Sequence, residues 1–201
     1  MLEVFRFECR YQLRSPLFLS IALTWFLLGL FIMASESVQI GGVGDNLNLN
    51  ATHTIIFTQY VLCMIGMFAA IAFVAGAITR DQDTRTAELL YVTGVNESSY
   101  LFGRFAGGTL FATVAVLAGL LGTLVGTFMP WLDQERLGAF VAEPYIFAMF
   151  GVVLPTMFVI CAIFFSVAAL TRSMMGAYMA GLGCLITVSY THLTLPTIYS
   201  V

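Results

Sequence analysis

The sequence predicts an all-α, polytopic helical membrane protein with an N-terminal interfacial helix, four complete transmembrane helices and a truncated fifth. Three observations carry that reading. Of the 201 residues, 60% are hydrophobic and only 9% charged, with a mean hydropathy of +0.94, whereas soluble domains carry about 25% charged residues. Four uncharged runs are long enough to cross a bilayer core, which takes about 20 apolar residues per helix. Seven of the eight basic residues, all arginines, fall on one side of those runs.

The first segment, LEVFRFECRYQLR, precedes any span. Arg6, Arg10 and Arg14 recur every fourth residue and share one helical face, while Leu2, Phe5, Tyr11 and Leu13 with Val4, Phe7 and Cys9 cover most of the remainder. A helix of that kind rests in the headgroup layer with its arginines near anionic lipid. Ser15 as N-cap and Pro16 at the first helical position then open span 1, residues 17–34.

Span 2 is expected over residues 54–78, span 3 over 105–129 and span 4 over 145–170, none with a charge. The small residues Gly103, Gly107, Ala115 and Gly119, then Gly122 and Gly126, have the spacing that lets membrane helices approach closely. Pro155 inside span 4 predicts a kink, either structural or a gating hinge. Thr24, Thr58, Thr113 and Thr127 would suit a polar pathway but equally well bond backbone carbonyls of their own helices. A fifth apolar run covers only residues 174–186.

Arginine placement sets the expected orientation, because basic residues are retained on the cytoplasmic side. Arg6, Arg10, Arg14, Arg80, Arg85, Arg104 and Arg172 share one side and Arg136 lies on the other. The N-terminus is therefore expected in the cytoplasm, with loops 35–53 and 130–144 outside. Cys63, Cys161 and Cys184 fall in apolar runs and Cys9 on the cytoplasmic side, so no disulfide framework is suggested. His53 lacks spaced partners for a metal, and a chain without lysine has no Walker A loop. With no Asp, Glu, His or Lys inside the expected spans, ion-driven transport has no groups to work with. Energy for any transport must come from elsewhere, most simply a separate ATPase.

Residues 79–104 form the most charged loop, holding Arg80, Asp81, Asp83, Arg85, Glu88, Glu97 and Arg104. From Thr84 the periodicity is helical, with Ala87, Leu90 and Tyr91 on one side and Arg85 and Glu88 on another, until Gly94 supplies a stop. Such a helix could rest on lipid or dock a soluble partner. Its mixed signs disfavour the first, since lipid-resting helices are strongly basic.

The interfacial helix, the first pair of spans and RDQDTRTAELLYVTGVNESSYLFGRFAGG together resemble the membrane subunits of ABC-type transporters of the second exporter class. In that family E-L-L, a turn and a hydroxyl-rich stretch lead to a Gly-Arg or Gly-Lys that opens the third span; the usual proline after the turn is Gly94 here. The resemblance implies a coupling helix, and assigns contact with the ATPase to Arg85, Thr86, Glu88 and Leu89. It implies ATP and Mg on that partner and none in this chain, a second permease copy or homologue as dimer partner, lipid but no nucleic acid, and the bacterial inner membrane as location. VQIGG (38–42), FMPWLDQERLG (128–138) and AALTRSM (168–174) look like the N-terminal part of bacterial proteins that fuse such a permease to a zinc aminopeptidase. No H-E-x-x-H occurs here, so no peptidase or other enzymatic activity carries over. A non-transporting anchor for a further domain is the alternative reading.

The end of the chain departs from this pattern. VSYTHLTLPT, Val188 to Thr197, is the translation of GTC TCT TAT ACA CAT CTG ACG CTG CCG ACG, the end sequence that transposase-based sequencing libraries attach to fragments. Residues 1–186 are therefore expected to be the permease part, broken inside helix 5, and residues 187–201 a tail derived from adapter.

Overall fold

A computed structural model describes residues 2–34, 48–83, 96–130 and 137–198. These fold into α1 (Leu2–Arg14), α2 (Pro16–Ala34), α3 (Thr52–Asp83), α4 (Glu97–Gly126), α5 (Glu143–Phe147), a π-helical turn (Ala148–Val153), α6 (Leu154–Thr171) and α7 (Met174–Ile198), with no strand among the described residues. Four stretches are long and apolar enough to cross a membrane: α2, α3, α4 and the run from α5 through the π turn to α6. The protein is a multi-pass helical membrane protein.

Several helices outrun their predicted limits. α3 continues past Ile78 to Asp83, and α4 begins at Glu97 rather than Phe105 because the Asn96 side chain caps it, accepting from the Ser98 N–H at 3.0 Å. Arg80, Asp81, Tyr100 and Arg104 thus sit on helices, where they were expected in a loop. α7 continues through the end of the expected fifth run to Ile198.

At the α1/α2 junction, the Ser15 N–H donates to the Gln12 carbonyl at 3.0 Å and its Oγ accepts from the Leu17 N–H at 3.3 Å. One residue closes α1 and caps α2. The packing of α1 is inverted from a simple amphipathic reading: Glu8 and Gln12 face the bundle, while Leu2, Phe7, Tyr11 and Leu13 are exposed.

α2 lies along α4, and glycines make this possible. A Cβ at Gly29 would collide with the Gly119 carbonyl, one at Gly122 would collide with the Phe26 carbonyl, and one at Gly126 would lie 2.7 Å from Met33 Cβ. The backbones themselves are in contact, so dispersion acts over the full length of the pair. α3 packs against α4, α6 and α7 and is the most enclosed span. The core between them holds Phe18 edge-on to Phe73 and Phe111, with Trp25, Cys63, Val116, Met157 and Cys161. Trp25 Nε1 donates to the Leu62 carbonyl at 3.3 Å, which satisfies a buried indole.

The π turn immediately precedes Pro155. Proline offers no N–H and its ring crowds the carbonyl one turn back. Widening the preceding turn relieves that crowding: the Leu154 N–H bonds the Met149 carbonyl, five residues back instead of four. α6 ends where Arg172 adopts a left-handed conformation (φ 50°, ψ 30°) and its N–H bonds the Ala168 carbonyl at 2.9 Å. Thr24, Thr113 and Thr127 donate to carbonyls of their own helices at 2.7–3.0 Å, and Thr127 also pairs with the Tyr145 hydroxyl. At that end of the bundle, Asn50 accepts from the Gly138 N–H and donates to the Gly138 carbonyl, both at 2.8 Å, tying the segment before α3 to the one before α5.

Candidate functional site

At the other end, where α3 finishes and α4 begins, α1 crosses the bundle and the three helices share a buried network of charges. Glu8 of α1 is wholly buried. Its carboxylate accepts from Arg104 of α4, from Arg80 of α3 at 2.8 Å and from the Gln12 amide at 2.9 Å. Arg104, only 4% exposed, reaches with its second terminal nitrogen to Asp81 of α3, which also accepts from the Tyr100 hydroxyl. Arg80 lies over the Tyr11 ring with its guanidinium carbon 3.7 Å from the centroid. Two arginines and two carboxylates, formally neutral together, bind α1, α3 and α4 into one unit.

Local sequence explains why this geometry is available. Glu8 and Gln12 are four apart and so project from the same face of α1, away from the Arg10 side. Gly107 supplies the space: a Cβ there would lie 2.6–2.7 Å from Glu8 Cγ and Cβ. Buried Gly103 lies on the same helix one turn before it. A carboxylate in such a place needs full compensation, because the desolvation of an unpaired buried ion costs several kcal/mol. The network provides it through Arg104, Arg80 and Gln12.

Position gives the network its functional interest. Asp81 and Tyr100–Arg104 stand at the two ends of the segment that joins α3 to α4, so the network clasps the base of that segment. Arg85, Thr86, Glu88 and Leu89, the residues assigned to partner contact, belong to it and lie outside the described residues. Of the interface arginines, Arg6, Arg10 and Arg14 are all exposed, and Arg6 has only a 3.9 Å pairing with Glu3. Gly103, Gly107, Gly119, Gly122 and Gly126 are buried along α4, while Pro155 is exposed at the start of α6.

Sequence reasoning missed Glu8, Gln12 and Tyr100, and placed Arg80, Asp81 and Arg104 in a charged loop without pairing them. One signal was available: Glu8 and Gln12 are a polar i, i+4 pair off the arginine face, opposite which a helix with glycines four apart, Gly103 and Gly107, opens room. Their partners, 72 to 96 residues away in sequence, carry no local signal. Beside the network, burial first and the neighbouring Glu8 charge second push the Cys9 thiol above its ordinary value, which leaves it a poor nucleophile at neutral pH. No group of three or more metal-ligating side chains occurs among the described residues.

Comparison with known families agrees with the multi-pass helical fold. The family model described as ABC-2 family transporter protein matches residues 4–196, beyond Ile186 and nearly the whole chain. No curated protein and no solved structure matches. The chain belongs to the ABC-2 family of transporter membrane proteins.

Proposed function

We propose that this chain is a transmembrane subunit of an ATP-driven exporter, that it forms part of the translocation pathway, and that it docks a separate cytoplasmic ATPase through residues 79–104. Family membership supports the coarser statement directly: a permease subunit of an ABC transporter, working with a cytoplasmic ATP-binding subunit rather than hydrolysing ATP itself. The proposal adds the direction of transport, a dimeric assembly with a second permease, ATP and Mg on the partner, an N-terminus facing the cytoplasm of a bacterial inner membrane, and headgroup lipid around Arg6, Arg10 and Arg14.

The observation that carries the docking assignment is the ion network. A segment that receives force from a partner must pass it to the spans, and a freely hinged base would dissipate it. Here both ends of the segment are tied to each other by Arg104 and Asp81 and to α1 by Glu8. Displacement of the segment therefore moves α1, α3 and α4 together. α4 in turn carries α2, because their backbones touch at Gly29, Gly119 and Gly122. The conformational change is then a rigid-body movement of packed helices rather than a local loop rearrangement.

Glu88→Lys tests the assignment. At an exposed position away from special features the folding cost stays within about 0.5 kcal/mol, whereas facing a basic cleft the same charge reversal costs several kcal/mol of docking. Abundance in the membrane is expected to match wild type, while co-purification with the co-expressed ATP-binding subunit is lost. Unchanged co-purification at normal abundance would remove Glu88 from the contact.

A further inference from the structure

A groove of about 370 Å³ runs beside the second half of α1, lined by Phe7, Arg10, Tyr11, Arg14, Ser15 and Pro16. Arg10 and Arg14 stand one helical turn apart on its wall, both exposed, and neither makes an ion pair among the described residues. Arg6 lies outside the groove. The floor is preset: Tyr11 is held by Arg80 stacked on its ring, and Ser15 is held as the cap of α2. The groove therefore ends against the first turn of α2, a 19-residue helix whose positive macrodipole end adds to the field of the two guanidinium groups. Phe7 of the lining is 56% exposed, and the apolar residues that border the lining in sequence, Leu13 and Leu17, are 67% and 47% exposed.

Two unpaired guanidinium forks, a helix start and exposed apolar side chains suit one ligand chemistry: a phosphate monoanion attached to a hydrocarbon tail. Arginine forks match phosphate oxygens with paired hydrogen bonds, and the exposed leucine and phenylalanine side chains suit acyl chains. We propose that this groove is a discrete binding site for the headgroup of an anionic phospholipid, with Arg10 and Arg14 as its phosphate ligands. The site rests on the reading that α1 lies in the headgroup layer. It differs from a diffuse basic stripe in excluding Arg6.

Native mass spectrometry of the purified full chain, titrated with phosphatidylglycerol or phosphatidylcholine, counts bound lipids. One phosphatidylglycerol is expected to be retained in preference to phosphatidylcholine and to resist millimolar inorganic phosphate. With no membrane present only direct contact counts, and a hydrogen bond to a charged group is worth about 1.5 kcal/mol or more, about tenfold in affinity, so Arg10→Gln with Arg14→Gln is expected to weaken that binding by about tenfold or more, and Arg6→Gln, outside the groove, to leave it unchanged. Equal binding by the double variant would overturn the site, as would an equal loss in Arg6→Gln. Displacement by inorganic phosphate would mark a free-anion site and overturn the lipid assignment. Leu13→Cys carrying a fluorophore, quenched by brominated lipid in vesicles, separates the two levels: quenching with unaltered lipid counts in the double variant refutes the site while the interfacial reading stands, and no quenching refutes both.

Discussion

Replacing Arg104 by glutamine removes the centre of the ion network while keeping a side chain of similar reach. In the intact protein the Arg104 side chain is 5% exposed and faces Glu8 and Asp81, whose side chains are 0% and 9% exposed. Removing one member of a buried pair costs about 3–5 kcal/mol, because the charge left behind is uncompensated. Glu8 retains Arg80, a partner 22% exposed, and Gln12, while Asp81 retains Tyr100. These remaining partners favour the lower end, about 3 kcal/mol. For a chain of this size about 1 kcal/mol corresponds to about 2–4 °C in Tm, so thermal unfolding of the purified protein is expected to fall by about 6–12 °C. Adding Glu8→Gln removes one of the two carboxylates and returns the network, now Arg80 and Asp81, to formal neutrality. Residues in one network couple by about 0.5–3 kcal/mol, so the double variant is expected to lose less than the sum of the two single losses. A Tm within about 2 °C of wild type for Arg104→Gln, or strict additivity in the double variant, would refute the claim that these charges hold the three helices together.

Three further outcomes follow from the packing and the sequence. Gly122→Ala drives a Cβ into the Phe26 backbone, with the Leu30 nitrogen only 2.9 Å away; overpacking of about 1–3 kcal/mol is expected to outweigh the helix-propensity gain of about 1 kcal/mol and lower Tm, and an unchanged or raised Tm would contradict the close α2/α4 contact. Gln59 is wholly buried in α3, with neither amide atom hydrogen-bonded to N or O among the described residues and the weakly bonding Cys63 thiol beside it. Gln59→Met is expected to stabilise by about 1–3 kcal/mol in the same assay, and a loss of stability would mean that the amide is satisfied. Reading the locus from a library prepared without transposase is expected to replace the codons after Ile186 with others that continue α7 in apolar residues; the codons for VSYTHLTLPT in such reads would show the tail to be native.

The bundle was legible because the bilayer imposes it: an uncharged run of span length has few alternatives, and each of the four appears as a helix. Helix ends were misjudged for a physical reason. Arg80, Asp81, Tyr100 and Arg104 read as solvated loop residues one at a time, yet they neutralise one another across α3, α4 and α1, which lets the helices continue through them. The same pairing turned Glu8 from an anonymous charge on α1 into the centre of the site. Spacing pointed to the glycines of α4, but their partners on α2, Phe26, Gly29 and Met33, emerge only from the three-dimensional crossing. Pro155 signalled a disturbed helix without indicating that a π turn would absorb it. Arg172 in a left-handed cap, a place glycine usually takes, carried no signal at all.

Residues 84–93 are proposed to meet an ATP-binding subunit, and crosslinking from within that segment probes the contact itself. A photoreactive amino acid in place of Leu89, in membranes containing the co-expressed ATP-binding subunit, is expected to give one dominant adduct, this chain joined to that subunit. The same probe in place of Leu23, exposed on α2, is expected to give none. Adducts to lipid alone from position 89, or equal adducts from positions 89 and 23, would show that this segment does not dock the ATP-binding subunit.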